Sequence, residues 1–94
     1  MLRFEWDERK NKANRAKHKV WLEEAQTVFE DPRARVFYDE GHSGDEDRFV
    51  ILGLSSAARL LVVVHCHREA SSVVRIISAR KATRKEARTY EERV

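Results

Sequence analysis

The hydrophobic pattern changes period along the chain, and each change marks an element. Leu2, Phe4 and Trp6 alternate with polar residues, the period-two signature of a short strand. Asp7 then offers an N-cap to a run of good helix formers reaching His18, with little apolar surface beyond Ala13 and Ala16. A helix with mostly wet sides is expected there. From Val20 to Asp31 the apolar residues Leu22, Ala25, Val28 and Phe29 fall at helical spacing. Glu23 and Glu24 sit in the first turn of this second helix, where the helix dipole favours negative charge, and Pro32 ends it.

Period two then returns. Ala34 to Tyr38, Arg48 to Leu54, Leu60 to His67 and Ser72 to Ser78 read as strands, the first followed by the acidic loop 39–47. The connections between the later strands are too short for a crossover helix, which predicts an antiparallel meander. Thr83 and Glu86 have capping-box spacing and open a polar helix to the C-terminus. The order β-α-α-β-β-β-β-α predicts an α+β fold: a twisted, mainly antiparallel sheet with helices packed on one face. The other face is left to side chains or a ligand.

Length and composition narrow the function. Ninety-four residues without repeats or a linker make a single domain, 1–94. The longest apolar run, Leu60 to Val64, is far below the roughly 20 residues a membrane helix needs, and no signal-peptide core follows Met1. A soluble, cytoplasmic protein is expected. Cys66 is the single cysteine, so no disulfide framework or multi-cysteine zinc site is expected, and its apolar setting reads as a small buried hydrophobe. The net charge of +3 hides an asymmetry: residues 1–50 carry 10 basic and 12 acidic side chains, residues 51–94 carry 9 and 4. A basic C-terminal half points to a polyanion or an acidic partner.

No phosphate loop or His-Glu-x-x-His motif is present. His65 and His67 have a spacing that could hold a metal, but no third ligand is evident; a pair of partly exposed strand histidines is expected, with no metal and no cofactor. The basic residues form two clusters. Arg9, Lys10, Lys12, Arg15, Lys17 and Lys19 run along the first helix, and Arg75, Arg80, Lys81, Arg84, Lys85 and Arg88 run from the last strand into the last helix. A solvated face explains either run alone, but Arg75 interrupts Val73-Val74-Arg75-Ile76-Ile77 and must find a carboxylate or open onto a groove. Arg80 follows at that strand's end and Arg48 begins a neighbouring strand.

Fixed guanidinium forks in such a groove suit phosphodiester chemistry. When an adjacent 2′-hydroxyl attacks RNA's phosphate, the phosphorane gains charge that preorganised donors stabilise, and arginine matches phosphate bidentately. Acid–base help would come from His18, His42, His65, Lys81 or Tyr90, which spacing does not rank. His18 also reads as a plain cation at the C-terminus of its helix.

Several stretches together resemble one family. Phe4-Glu5-Trp6-Asp7, Asn14 with Lys17-His18, Glu23-Glu24-Ala25, Val28-Phe29, Asp31-Pro32, His42-Ser43, Arg48, Gly53-Leu54-Ser55-Ser56, Arg59 to Val63, Arg75-Ile76-Ile77-Ser78-Ala79-Arg80-Lys81-Ala82, Glu86 and Tyr90-Glu91-Glu92 are similar to the BrnT toxins of bacterial type II toxin–antitoxin systems. The resemblance implies a RelE-like fold and a ribonuclease that inhibits translation, and cleavage without metal is expected. It also implies a BrnA-like antitoxin with a ribbon-helix-helix DNA-binding domain, joined in a 2:2 complex that represses its own operon through the antitoxin's DNA contacts. Site residues carried over are Arg48, Arg75 and Arg80, with His18 and Tyr90; Lys81, Arg84, Lys85 and Arg88 of the basic cluster are expected to bind RNA. A non-catalytic RNA- or partner-binding module, or a degenerate toxin kept as an antitoxin-binding scaffold, is the alternative.

The chain departs from the family at Lys19 and Trp21, where Gly and Ser are usual between the helices. Lysine in a left-handed helix end costs up to about 1 kcal/mol relative to glycine, and a lost serine N-cap about the same. Trp21 reads as an apolar anchor, with base stacking as the alternative. The turn Ser55 to Arg59 lacks the usual glycine.

Overall fold

A computed structural model describes residues 2–42, 44, 46–68, 70 and 72–92, with His42 described by its backbone only. The predicted order is present: β1 (Arg3–Glu5), α1 (Glu8–His18), α2 (Leu22–Thr27), β2 (Arg35–Tyr38), β3 (Phe49–Leu54), β4 (Leu60–Arg68), β5 (Val73–Lys81) and α3 (Arg84–Glu91). The predicted second helix is shorter than its apolar pattern, because after Thr27 it tightens into a 3₁₀ turn, Val28–Glu30, ahead of Pro32. Strand β5 is longer than expected and runs through Arg80 and Lys81.

The sheet order is β1-β5-β4-β3-β2. Strands β2 to β5 form the antiparallel meander, while β1 joins the far edge parallel to β5, pairing Arg3 with Val73 and Glu5 with Arg75. Alternation assigns each strand residue to a face. Ile51, Leu61, Val63, Val74, Ile76 and Ala79 meet Val20, Leu22, Ala25 and Val28 beneath α1 and α2. Gly53 belongs to the same face, and a Cβ there would lie 2.8 Å from Val28 Cγ1 and 2.9 Å from Ala34 Cβ, so glycine lets the 3₁₀ turn approach the sheet.

The opposite face carries a row of paired residues, Arg35, Leu52, Val62 and Arg80, across four strands. Helix α3 lies over that row. Glu86 accepts from Arg80 at one end, the Thr89 carbonyl accepts from Arg35 Nη1 at the other (2.8 Å), and Leu52 and Val62 are buried between. Expectation and structure thus agree on a helix layer for α1 and α2, and α3 occupies part of the face left open in the sequence reading.

The caps follow the sequence. Asp7 accepts from the Arg9 N–H at 2.8 Å, and Thr83 and Glu86 form a complete capping box. Lys19 takes the left-handed conformation (φ 64°) that its position demands. Ala58 does the same in the β3–β4 turn (φ 59°), where the Ser55 and Arg59 backbones pair at 2.8 Å.

Candidate nucleic-acid interface

The geometry of the second face depends on one extra residue. Val64 pairs with Ser78 and His65 with Ile76, so Ile77 has no partner on β4. Arg75 and Arg80 are an odd number of residues apart and would point to opposite faces of a regular strand. The bulge at Ile77 corrects the phase: Arg75 pairs with Cys66 and Arg80 with Val62, two β4 residues on the same face. The two arginines then stand about 13 Å apart along the sheet, four strand steps of roughly 3.3 Å.

Between them runs the row Phe37, Val50, Val64 and Ser78. It is neither sealed like Leu52 and Val62 under α3 nor buried like Cys66: Phe37 is 40% exposed and the other three are half-buried. Arg35 stacks its guanidinium 5.6 Å from the Phe37 ring. On the side away from α3, Arg48 immediately precedes β3, whose first pair with β4 is Phe49 and His65; this sets Arg48 level with Cys66 and Arg75. Among the described residues no carboxylate lies within ion-pairing distance of Arg75. The result is an apolar strip with arginines on both sides.

Glu46 of the acidic loop lies at the edge of this strip, beyond Arg48. Glu46 reaches the Cys66 thiol, and burial, followed by that carboxylate, pushes the thiol's pKa up. Cys66 is therefore the inert hydrophobe expected from its setting. Across the strip, Arg80 is held by a two-pronged bond: Nη1 donates to Glu86 Oε1 and Nη2 to Glu86 Oε2, both at 2.8 Å. This fork is the main reason the Glu86 carboxyl is pulled down to about 2.

The other residues singled out in the sequence lie elsewhere. Lys81 is exposed and, one step beyond Arg80, faces the α1–α2 side, where its charge acts on Glu24. His18 ends α1, half-buried, on that side too. Arg84, Lys85 and Arg88 are exposed on α3. Tyr90 donates its hydroxyl to Asp31 Oδ2 at 2.7 Å. Burial works against ionisation of Asp31, but the Leu54 N–H, the Tyr90 hydroxyl and the Arg33 N–H outweigh it and hold the carboxyl below its usual range. The structure thus places Arg75 and Arg80 on one face at the two sides of the strip, with Arg48 just before β3, and leaves His18, Lys81 and Tyr90 outside it. The side chain of His42 lies outside the described residues.

Two histidine and tryptophan expectations change. His65 is buried, not partly exposed, with its ring 4.9 Å from Phe29 and 5.3 Å from His67, and burial pushes its pKa down to about 4. Among the described residues no three metal-ligating side chains gather. Trp21 caps α2 without a side-chain bond and is 45% exposed, with Arg15 stacked 5.6 Å from its ring. It is a surface residue, because the α2 layer is already filled by Val20 and Leu22 on either side of it.

Sequence reasoning missed two buried side chains. Asn14 Nδ2 donates to the carbonyls of Val20 (2.8 Å) and Ala79 (2.9 Å), and its Oδ1 accepts from the Ala79 N–H (3.0 Å). Asn11 Nδ2 donates to Glu8 and Glu23, while its Oδ1 accepts from the Leu22 N–H. Their spacing of three on a helix otherwise short of apolar residues was the available signal. Glu24 is likewise a hub, paired with Arg59 and accepting from Ser55 Oγ at 2.7 Å.

Comparison with known proteins places the chain in a family. Residues 6–86 match the family described as ribonuclease toxin, BrnT, of type II toxin-antitoxin systems. No curated protein matches the sequence. Among solved structures, the crystal structure of the Brucella abortus ribonuclease toxin BrnT superposes with a TM-score of 0.69 at 23% identity, covering 89% of this chain and all of that one. That likeness shows the fold. The family match spans most of the chain, from the end of β1 to the Arg80–Glu86 pair, and on that match the chain belongs to the BrnT ribonuclease toxins of type II toxin–antitoxin systems.

Proposed function

We propose that this toxin cleaves RNA along the strip between α3 and the acidic loop, and inhibits translation by doing so. The observation that carries the reading is the bulge at Ile77, which brings Arg75 and Arg80 to one face on either side of the half-open row Phe37, Val50, Val64 and Ser78. In this reading Arg48, Arg75 and Arg80 hold the phosphate backbone and stabilise the phosphorane as the 2′-oxygen attacks. Phe37 supplies a ring against which a base stacks. Arg84, Lys85 and Arg88 on α3, with Lys81 beyond, extend the positive field along which RNA enters. The charge stabilisation is supplied by guanidinium groups, so cleavage proceeds without a metal.

In the same reading the partner is a BrnA-like antitoxin with a ribbon-helix-helix domain. It covers the arginine strip with carboxylates, forms a 2:2 complex in the cytoplasm, and represses the shared operon through its own DNA contacts. Complex formation then weakens as salt is raised, and an affinity indifferent to salt would point to an apolar interface instead.

The test is RNA cleavage by wild-type, Arg75→Ala and Arg80→Ala proteins, with and without ribosomes and with a chelator, alongside growth on expression. Cleavage that survives the chelator, growth arrest by the wild type, and loss of both effects in each variant are expected. Folded wild-type protein that binds RNA but leaves it intact, without arresting growth, would favour the binding-module reading.

A further inference from the structure

The Arg80–Glu86 pair uses half of the guanidinium and leaves a defined half open. Arginine has five N–H donors in a rigid plane, two on each Nη and one on Nε. One Nη1 hydrogen goes to Glu86 Oε1, and Nη1 also donates to the Lys81 carbonyl at 3.2 Å. One Nη2 hydrogen goes to Glu86 Oε2. Nε and the second hydrogen of Nη2 have no acceptor among the described residues, and the Arg80 side chain is 42% exposed. These two donors share one edge of the plane, the side-on edge that matches two oxygens of a phosphate.

Glu86 is itself fixed. Its Oε1 accepts from the Thr83 N–H at 2.9 Å, and its own N–H donates to Thr83 Oγ1 at 3.2 Å. A capping box therefore locks the carboxylate, the carboxylate locks the guanidinium, and the Lys81 carbonyl completes the grip. Three anchors from two elements hold a long side chain that otherwise loses rotamer entropy on meeting its ligand.

We infer that Glu86 is a positioning residue for a phosphodiester ligand, holding Arg80 so that its Nε–Nη2 edge is preset to grip a phosphate of bound RNA. This rests on the proposed ribonuclease reading and adds to it the residue that orients the arginine. It also gives the capping box a second role, since the box that starts α3 sets the direction of a side chain on β5. A competing role for the same carboxylate, as an anion that blocks Arg80 until RNA displaces it, predicts the opposite sign for its removal.

Glu86→Gln separates these roles from folding, because glutamine keeps the box with Thr83 while removing the charge that grips Arg80. The full-length variant is compared with wild type and Arg80→Ala. One readout is steady-state RNA cleavage, and the other is the Arg80 Nε–H resonance in ¹⁵N NMR during titration with a 2′-O-methyl RNA oligonucleotide, which carries the phosphates but cannot be cut. Expected are a cooperatively folded protein whose thermal unfolding is lowered only by the loss of the Arg80 pair, a fall in kcat of about 10- to 100-fold with KM changed by less than about 3-fold, and an Nε–H signal that is sharp in wild type but broadened in the variant.

A Glu86→Gln protein with wild-type kcat beside an inactive Arg80→Ala would overturn the positioning role alone. One with raised kcat would assign Glu86 to blocking. An Arg80 Nε–H signal that the oligonucleotide leaves unmoved would overturn the phosphate contact. A signal that moves in a protein with no cleavage would leave the positioning role standing and remove the ribonuclease reading instead.

Discussion

The two faces of the sheet are built from the same strands but to opposite rules. On the α1–α2 face, apolar side chains are sealed and each buried polar group is matched, with Asn14 bonded to backbone on two elements and Asn11 closing the entry to α2. On the α3 face, one row is sealed by a helix and another is approached by an acidic loop, and the row between them is left half-open with arginines on its flanks. The first face spends its polar groups on satisfying its own backbone. The second, among the described residues, gives Arg75 no carboxylate and leaves one edge of Arg80 without an acceptor, which is what a site for an external anion requires.

The sharpest way to break this contrast is to remove one polar side chain from each face. Arg75→Ala should reduce RNA cleavage by about 10² to 10³-fold, the usual loss for one preorganised donor, while leaving the denaturant midpoint within experimental scatter. Asn14→Ala should do the reverse. It strands the Val20 and Ala79 carbonyls and the Ala79 N–H inside the core, and at about 1–3 kcal/mol for each group left unpaired it should lower stability by roughly 3 kcal/mol or more. Equilibrium unfolding read beside a cleavage assay checks both. A strongly destabilised Arg75→Ala would mean that the α3 face is structural too.

The same contrast explains what the sequence disclosed. Elements whose signals are local were readable: Asp7 and Thr83 as caps, Pro32 as a stop, and the apolar alternation that set β3 and β4. Lys19 was flagged as a residue standing where glycine is favoured, and it adopts the left-handed conformation. The bulge was not readable, because Ile77 in the run Val73 to Ile77 looks like any other strand residue; its lack of a partner is a property of the pairing between β4 and β5. The site was therefore half legible. Arg75 and Arg80 were named, but the reason they share a face was hidden, as was Glu86, which read only as a cap. His65 was misjudged as partly exposed because its burial comes from Phe29 and Phe49, residues on other elements.

Titration sharpens the comparison from the α1–α2 side. His65 is held neutral by burial, its pKa down at about 4 against 6.5 for the free group. The unfolded chain binds a proton at this histidine as pH falls below 6.5, while the folded chain resists until about 4. The unfolded state thus carries more protons across that window, and stability rises with pH through it. Full stability is present above pH 6.5, and up to about 3 kcal/mol is lost on descending to pH 4. Glu24, Asp31 and Glu86, all held below their usual range, add a loss of the same sign at still lower pH as each becomes protonated. His65→Leu should flatten the slope between pH 6.5 and 4.5 and leave the acid limb intact; a slope unchanged in the variant would place the titrating group elsewhere.

The smallest effects test whether the family departures matter. Lys19 and Ala58 both stand at positive φ, 64° and 59°, where an L-residue is strained by contact between Cβ and the following carbonyl and glycine is not. Glycine at either position also adds freedom to the unfolded chain, so the net gain is smaller than the strain removed. Lys19→Gly and Ala58→Gly should each raise stability by about 1 kcal/mol, measured as a shift in denaturant midpoint with unchanged slope. The two positions are linked through Arg59, which follows Ala58 and donates from Nη2 to the Lys19 carbonyl at 3.1 Å while pairing with Glu24. The Arg59 guanidinium and the Lys19 carbonyl make that link, and neither substitution removes them. The double variant should therefore gain the sum of the single effects to within about 0.5 kcal/mol. A clear shortfall would mean that the strain at one turn is transmitted through Arg59 to the other, tying the helix end and the hairpin into one unit beneath the sealed face.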